Sequence, residues 1–251
     1  MWRMEIITVT KDNIEAEHIC CAISNNKDIQ VRSKKQWMQK NFDQGLVFKK
    51  ANVRGKCFIE YIPAENAWVP IKAEGYMLIN CFWISGKYKG QGHANELLEA
   101  CIKDSREKGK KGLVVISSKK KVAFLSDPSY LKYKGFQIAD QADPYYELLY
   151  LPFDEHVPIP KFKEQVKSPK INEKGFVLYY THQCPFTVKY VSLIEEVATE
   201  NKIPFKSILI ESKEEAQNAP APFTTYSLFQ DGEFLTNEIL SEKKFKKIAG
   251  V

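Results

Sequence analysis

The chain has 251 residues, 44% of them hydrophobic and 27% charged, the make-up of an ordinary globular protein built as one large domain or two small ones. Its formal net charge of +6 is mild for this length and suits an anionic ligand as well as nucleic acid, but the lysines are scattered and no recognition-helix pattern appears, which sets a nucleic-acid binder aside. No apolar run approaches the ~18 residues of a membrane span, and the opening MWRMEIITVTKDN lacks a signal peptide's apolar stretch, so no membrane association and a cytoplasmic location are expected.

In chain order, MEIITV (4–9) predicts a strand, KDNIEAEHICCAI (11–23) a helix and SKKQWMQKNFDQ (33–44) a second helix. Three strands follow at GLVFKKA, KCFIEYI and YMLINCFWI, in β-rich composition broken by Gly, Pro and Asn. After the glycine-rich GKYKGQG, residues Leu97, Leu98, Cys101, Ile102 and Ser105 recur at helical spacing until EKGKKG ends the helix. LVVI (113–116) is wholly apolar, the mark of a strand buried on both faces. A short helix near DPSYLKYKG and a last strand YYELLYL complete a first domain over 1–153. Residues 154–173, rich in Pro and Lys with little apolar periodicity, read as a linker to a second domain over 174–251. The whole is mixed α/β (α+β).

The six cysteines, Cys20, Cys21, Cys57, Cys81, Cys101 and Cys184, are irregularly placed and never at C-x-x-C spacing. That argues against a zinc site and against a disulfide scaffold, so most are expected to be buried thiols and no metal is expected.

Lys89-Gly90-Gln91-Gly92-His93-Ala94 lies between a strand and a helix, where free backbone N–H groups and the positive end of the helix dipole converge. Small residues there let a pyrophosphate reach those N–H groups. A Walker loop is excluded because no Gly-Lys-Ser/Thr closes the stretch, and a Rossmann loop because several antiparallel-looking strands precede it.

The stretch resembles the Q/R-x-x-G-x-G/A signature of the GNAT (Gcn5-related N-acetyltransferase) superfamily, with Lys89 at the basic position, Gly92 at the central glycine and Ala94 at the last small position. Lysine replaces the usual Gln or Arg. GKYKGQGHANELLEACI, EYIPAENAW and the later THQCPFT together resemble the YoaP family of acetyltransferases over nearly the whole chain. The resemblance implies a GNAT acyl-CoA N-acyltransferase fold that binds acetyl-CoA as cosubstrate. It implies Phe82, Trp83 and Ile84 along the pantetheine arm and Lys89, Gly90, Gln91, Gly92, His93 and Ala94 at the pyrophosphate.

Acetyl transfer to an amine needs a base for the amine and an acid for the departing thiolate. Glu60, on the strand before the loop strand, is the first candidate base and Glu65 the second. GNAT enzymes often place a tyrosine five residues before the Phe of a Gly-Phe pair; here that pair is Gly135-Phe136 and position 131 is leucine, which leaves Tyr130 as candidate acid, with packing as its alternative role. Lys119, Lys120 and Lys121 could steer an acidic cofactor or simply be a solvated turn.

In the second domain the strand FVLYY, a helix after THQCPFT, the strand FKSILI, a hairpin around Asp231-Gly232 and a final helix capped by Ser241 resemble a small thioredoxin-like α/β domain. Cys184-Pro185-Phe186-Thr187 stands where glutaredoxins carry Cys-Pro-Tyr-Cys, and Pro222 is the candidate cis-proline. A cysteine at a helix start is expected to have a lowered pKa, so Cys184 is the reactive-thiol candidate and small thiols its possible partners. The function expected is direct acetyl transfer, in a ternary complex, to a small-molecule or peptide amine. The alternative is a non-catalytic CoA- or thiol-binding redox module with a degenerate GNAT domain.

Overall fold

The computed structural model describes residues 4–19, 21 and 26–251. Strand β1 (Ile6–Val9) leads into a stretch where the helix expected over 11–23 is absent: residues 11–16 are turns. Asn13 is the local reason. Its side chain accepts the Thr10 N–H and donates to the Thr8 carbonyl, and such short-range bonds compete with helix formation. Cys20, Ala22 and Ile23 of that expected helix lie outside the described residues.

Helix α1 (Ile29–Phe42) starts four residues before the predicted point because Asp28 caps it, accepting the Gln30 N–H. Next come β2 (Val47–Ala51), β3 (Cys57–Pro63), a two-residue strand β4 (Ile71–Lys72), β5 (Tyr76–Ile84), α2 (His93–Glu107), β6 (Gly112–Ser118), α3 (Pro128–Tyr133), β7 (Gln137–Ala142) and β8 (Tyr146–Pro152). The seven-stranded sheet runs β1-β2-β3-β5-β6-β8-β7; every pairing is antiparallel except β5 with β6.

Strand alternation divides the sheet's side chains between two faces. Cys57, Ile59, Tyr61, Met77 and Ile79 meet Leu97, Leu98 and Cys101 of α2. Burying each such leucine stabilises by about 1.5–3 kcal/mol. Phe58, Ile62 and Leu78 on the opposite face meet Trp37 and Met38 of α1. That second core also takes in Ile210, Ala216 and Ala219, so the two halves of the chain share it.

The stretch 154–173 is no free connector. Strand β9 (Lys161–Phe162) pairs with β4, the Phe162 N–H donates to Asp140, and Phe162 and Val166 are fully buried. Two apolar anchors among lysines and prolines tie it down, and spaced so sparsely they show no periodicity.

The remaining elements are β10 (Phe176–Tyr180), α4 (Pro185–Glu200), β11 (Phe205–Leu209), α5 (Lys213–Gln217), β12 (Tyr226–Gln230), β13 (Glu233–Thr236) and α6 (Glu242–Ala249). Their sheet runs β11-β10-β12-β13, with β10 parallel to β11 and antiparallel to β12. Asp231 and Gly232 both take positive φ, the requirement of a tight two-residue hairpin turn. Helix α4 packs against α1. Thr224 Oγ1 donates to the Trp68 carbonyl, and Gln217 Nε2 donates to the carbonyls of Glu65 and Ala67.

Candidate active site

The parallel pair β5–β6 holds only from Tyr76/Gly112 to Ile79/Val115. Beyond Ile79, β5 stays paired with β3 while β6 continues with β8, so the two central strands diverge. At the point of divergence the β3–β5 register slips: Glu60 faces Cys81 but Tyr61 faces Ile79, which makes Asn80 the extra residue of a β-bulge. Such a gap leaves one edge of β5 free to pair with an extended ligand. Phe82 and Ile84 lean on the α2 face, whereas Trp83 is 46% exposed.

Gly86–Tyr88 form a 3-10 turn that leads from β5 into the loop, with Lys89 extended and exposed. Gly90 (φ 76) and Gly92 (φ 86) both occupy the left-handed region, and a Cβ built on either would meet nothing within 4 Å. Glycine here serves the backbone conformation and leaves open space beside it. Gly92 is the N-cap of α2 and offers no side-chain acceptor, so the first-turn N–H groups face the loop mouth uncapped. His93 Nδ1 is buried without a hydrogen-bond partner among the described residues.

Glu60 is buried, not solvent-facing. Its Oε2 receives Lys34 Nζ at 2.5 Å, with both side chains at most 2% exposed, and Asn80 Nδ2 donates to its Oε1 at 3.3 Å. Lys34 Nζ also sits 4.3 Å from the Trp37 ring centroid, which supports a desolvated ammonium from its open side. Glu65 lies elsewhere. Burial pushes its carboxyl up, but N–H groups including that of Gly75, together with Lys110, outweigh this and hold it low, so it is a poor base.

Tyr130, on α3, is brought beside β5 and α2. Its ring stands edge-on to Phe82 at 5.7 Å, and its hydroxyl donates to Asn95 Oδ1 at 3.2 Å. Burial, and then the charge of Glu99, push its pKa up to about 12, so it stays protonated at neutral pH. Lys121 pairs with Asp127, and Lys119 and Lys120 are exposed.

Cys184 caps α4 as expected, but its thiol is not activated. The residue is half-buried where the halves meet, and desolvation there pushes its pKa up to about 12, outweighing the Phe186 N–H that favours the thiolate. Cys21, Lys34 and Glu60 lie within electrostatic reach of it, and Cys81 on the bulge is held up by burial in the same place. The expected lowering considered only the helix start; covering by the other half is a long-range effect. Thr187 Oγ1 donates to the carbonyls of Thr181 and Cys184, closing the turn where a second cysteine would stand. Pro222 is not cis: the cis peptide among the described residues is Asp143–Pro144. Also among the described residues, no group of three or more His, Cys, Asp or Glu is placed to hold a metal, and no helix is long and apolar enough to cross a membrane.

Sequence reasoning missed Lys34, Asn80 and Asn95. Lys34 had a faint signal: it falls between Val31 and Met38 at helical spacing, on the apolar stripe of α1.

The fold and site define a mixed α/β protein with a glycine loop at the mouth of a split parallel strand pair, joined to a smaller four-stranded unit. Residues 204–247 match the YoaP-like family model. Over 243 residues the chain is 48% identical to uncharacterized N-acetyltransferase YoaP of Bacillus subtilis (strain 168), covering 96% of this chain and 97% of that one. The chain belongs to the YoaP-like family. Among solved structures it is remotely similar to the PaiA N-acetyltransferase of Thermoplasma acidophilum in complex with coenzyme A (13% identity, TM-score 0.42, 61% of this chain and 100% of that one). A likeness of the same order relates it to the ribosomal-protein-S18-alanine N-acetyltransferase of Escherichia coli (14% identity, TM-score 0.42, 62% and 97%).

Proposed function

We propose that this protein is an N-acetyltransferase of GNAT type that moves an acetyl group from acetyl-CoA to a small-molecule or peptide amine. The observation that carries this reading is the divergence of β5 from β6 at the Asn80 bulge, beside the uncapped start of α2. The name borne by the Bacillus subtilis relative supports it. The open space beside Gly90 and Gly92 and the orphaned His93 Nδ1 fit a polyanionic group at the loop.

Acetyl-CoA supplies an activated thioester. In this reading the backbone N–H groups of 90–94 and the Lys89 ammonium hold its pyrophosphate, and the free edge of β5 from Phe82 to Ile84 pairs with its pantetheine arm. Glu60 takes the proton of the attacking amine, with Lys34 balancing its charge, and Tyr130 returns a proton to the departing thiolate. Residues 174–251 act as a thioredoxin-like module whose sheet order, with one parallel and two antiparallel pairs, supports that assignment. It closes over the acceptor side. Domain limits of 1–153 and 174–251, joined by the strap 154–173, go with this reading.

Gly92→Glu tests it. A carboxylate in the space beside α2 should abolish acetyl-CoA binding by calorimetry, and a variant that keeps the wild-type circular dichroism spectrum and the wild-type affinity would sink the assignment. The alternative, a CoA-binding module without turnover, is favoured by the leucine at 131 and by the ion-paired state of Glu60. Thiol release from acetyl-CoA across a panel of amines separates the two.

A further inference from the structure

Phe124 takes φ 66, the left-handed region that a phenylalanine enters only under constraint, and it is 42% exposed. The constraint is visible on both sides of it. The carbonyl of Ala123 accepts Asn237 Nδ2 at 3.0 Å, Asn237 is itself held by the Tyr145 hydroxyl at 2.5 Å, and Leu125 is buried. An exposed aromatic locked in a strained backbone points from conformation to function.

Its ring forms one wall of a cleft of about 180 Å³ between the two halves, completed by Phe186, Tyr190, Ile239, Ser241 and Lys244. Phe186 and Tyr190 meet edge to face with centroids 6.3 Å apart, and Ile239 is buried. Two polar groups at the rim are already committed. Lys244 Nζ pairs with Glu238, and Ser241 Oγ accepts the Lys244 N–H. Lys189 Nζ stands 6.0 Å from the Tyr190 ring centroid, and the three aromatic walls favour a flat apolar group. An apolar cavity of about 150 Å³ is enough to hold benzene.

We propose that this cleft is a binding site for one six-membered aromatic ring and, resting on the acetyl-transfer reading, that the ring is the side chain of the acceptor amine. Phe186 and Tyr190 sit on α4, which packs against α1, and α1 carries the Lys34 that holds Glu60, so one helix pair joins the cleft to the group assigned as base. The acceptor class is then an arylalkylamine or a peptide with an aromatic first residue.

The probes are β-phenylethylamine and ethylamine, titrated calorimetrically into the full chain saturated with CoA. Wild type should bind the aryl amine at least tenfold more tightly. Phe124→Asn removes the ring and suits the left-handed backbone, so it should raise the melting temperature and reduce that ratio below threefold. Tyr190→Ala, on the opposite wall, should reduce it likewise. Equal affinities in wild type, or a ratio untouched by both variants, overturn the proposal while CoA binding still reports on the cofactor loop. Tight aryl binding by a chain that a separate titration shows not to bind CoA would keep the ring site and remove the acetyl-transfer reading beneath it.

Discussion

Replacing Glu60 with glutamine should cost the protein more in stability than any surface change. The substitution keeps shape and the bond to Asn80 but leaves the Lys34 ammonium uncompensated where both side chains are at most 2% exposed. Breaking a buried pair from one side costs about 3–5 kcal/mol. For a chain of this size each kcal/mol lowers the melting temperature by about 2–4 °C, so Glu60→Gln should melt ~6–20 °C lower by calorimetry. Lys34→Met/Glu60→Gln removes the stranded charge and should recover most of that loss. Activity separates the two roles of the carboxylate. If Glu60 is the base, kcat/KM measured well below the transition falls about 10²-fold in both variants, although only one is unstable. A single variant within ~1 kcal/mol of wild type would refute the buried-pair argument, and an activity loss under threefold in the stable double variant would take the base role from Glu60.

Tyr130→Phe keeps the edge contact with Phe82 but removes the hydroxyl, so kcat should fall at least tenfold with KM little changed. Because burial holds that hydroxyl up to about 12, the wild-type rate should show no alkaline fall up to about pH 10; a fall centred near pH 9 would assign the acid elsewhere. Cys184 should alkylate more slowly than a free cysteine at pH 7.5, because its raised pKa of about 12 leaves little thiolate, and its rate should climb about tenfold per pH unit. Rapid labelling of Cys184 at neutral pH, read by mass spectrometry, would show a thiolate that its desolvation does not allow.

Local chemistry was legible and long-range covering was not. The glycine loop and α2 are written in positive-φ glycines followed by a 3.6-residue apolar repeat, and the Asp231-Gly232 hairpin in a dipeptide with one conformational use. β7 escaped because QIADQA is a half-exposed edge strand, with no apolar alternation to read. The helix expected over 11–23 failed for a side-chain reason, the double bond of Asn13 to its own turn. For the site, the strand carrying Glu60 was readable but its burial was not. That depends on a lysine 26 residues earlier pointing inward, against the usual preference of its type. The same holds for Cys184, where Cys21, Lys34 and Glu60, more than a hundred positions away, join its local neighbours.

The bonds from Thr224 and Gln217 to the carbonyls of Trp68, Ala67 and Glu65 bear on how this protein could be taken apart. A chain cut after Phe153 would keep every strand of the seven-stranded sheet, yet it would lose Ile210, Ala216 and Ala219 from the core beneath α1 and leave those acceptors facing water. The isolated half would therefore present a sticky, polar-and-apolar scar where its neighbour had been. A workable fragment needs that scar redesigned around Trp68 and Trp37, not merely a well-chosen end point. Modularity here is a property of the sheets; the interior is held in common.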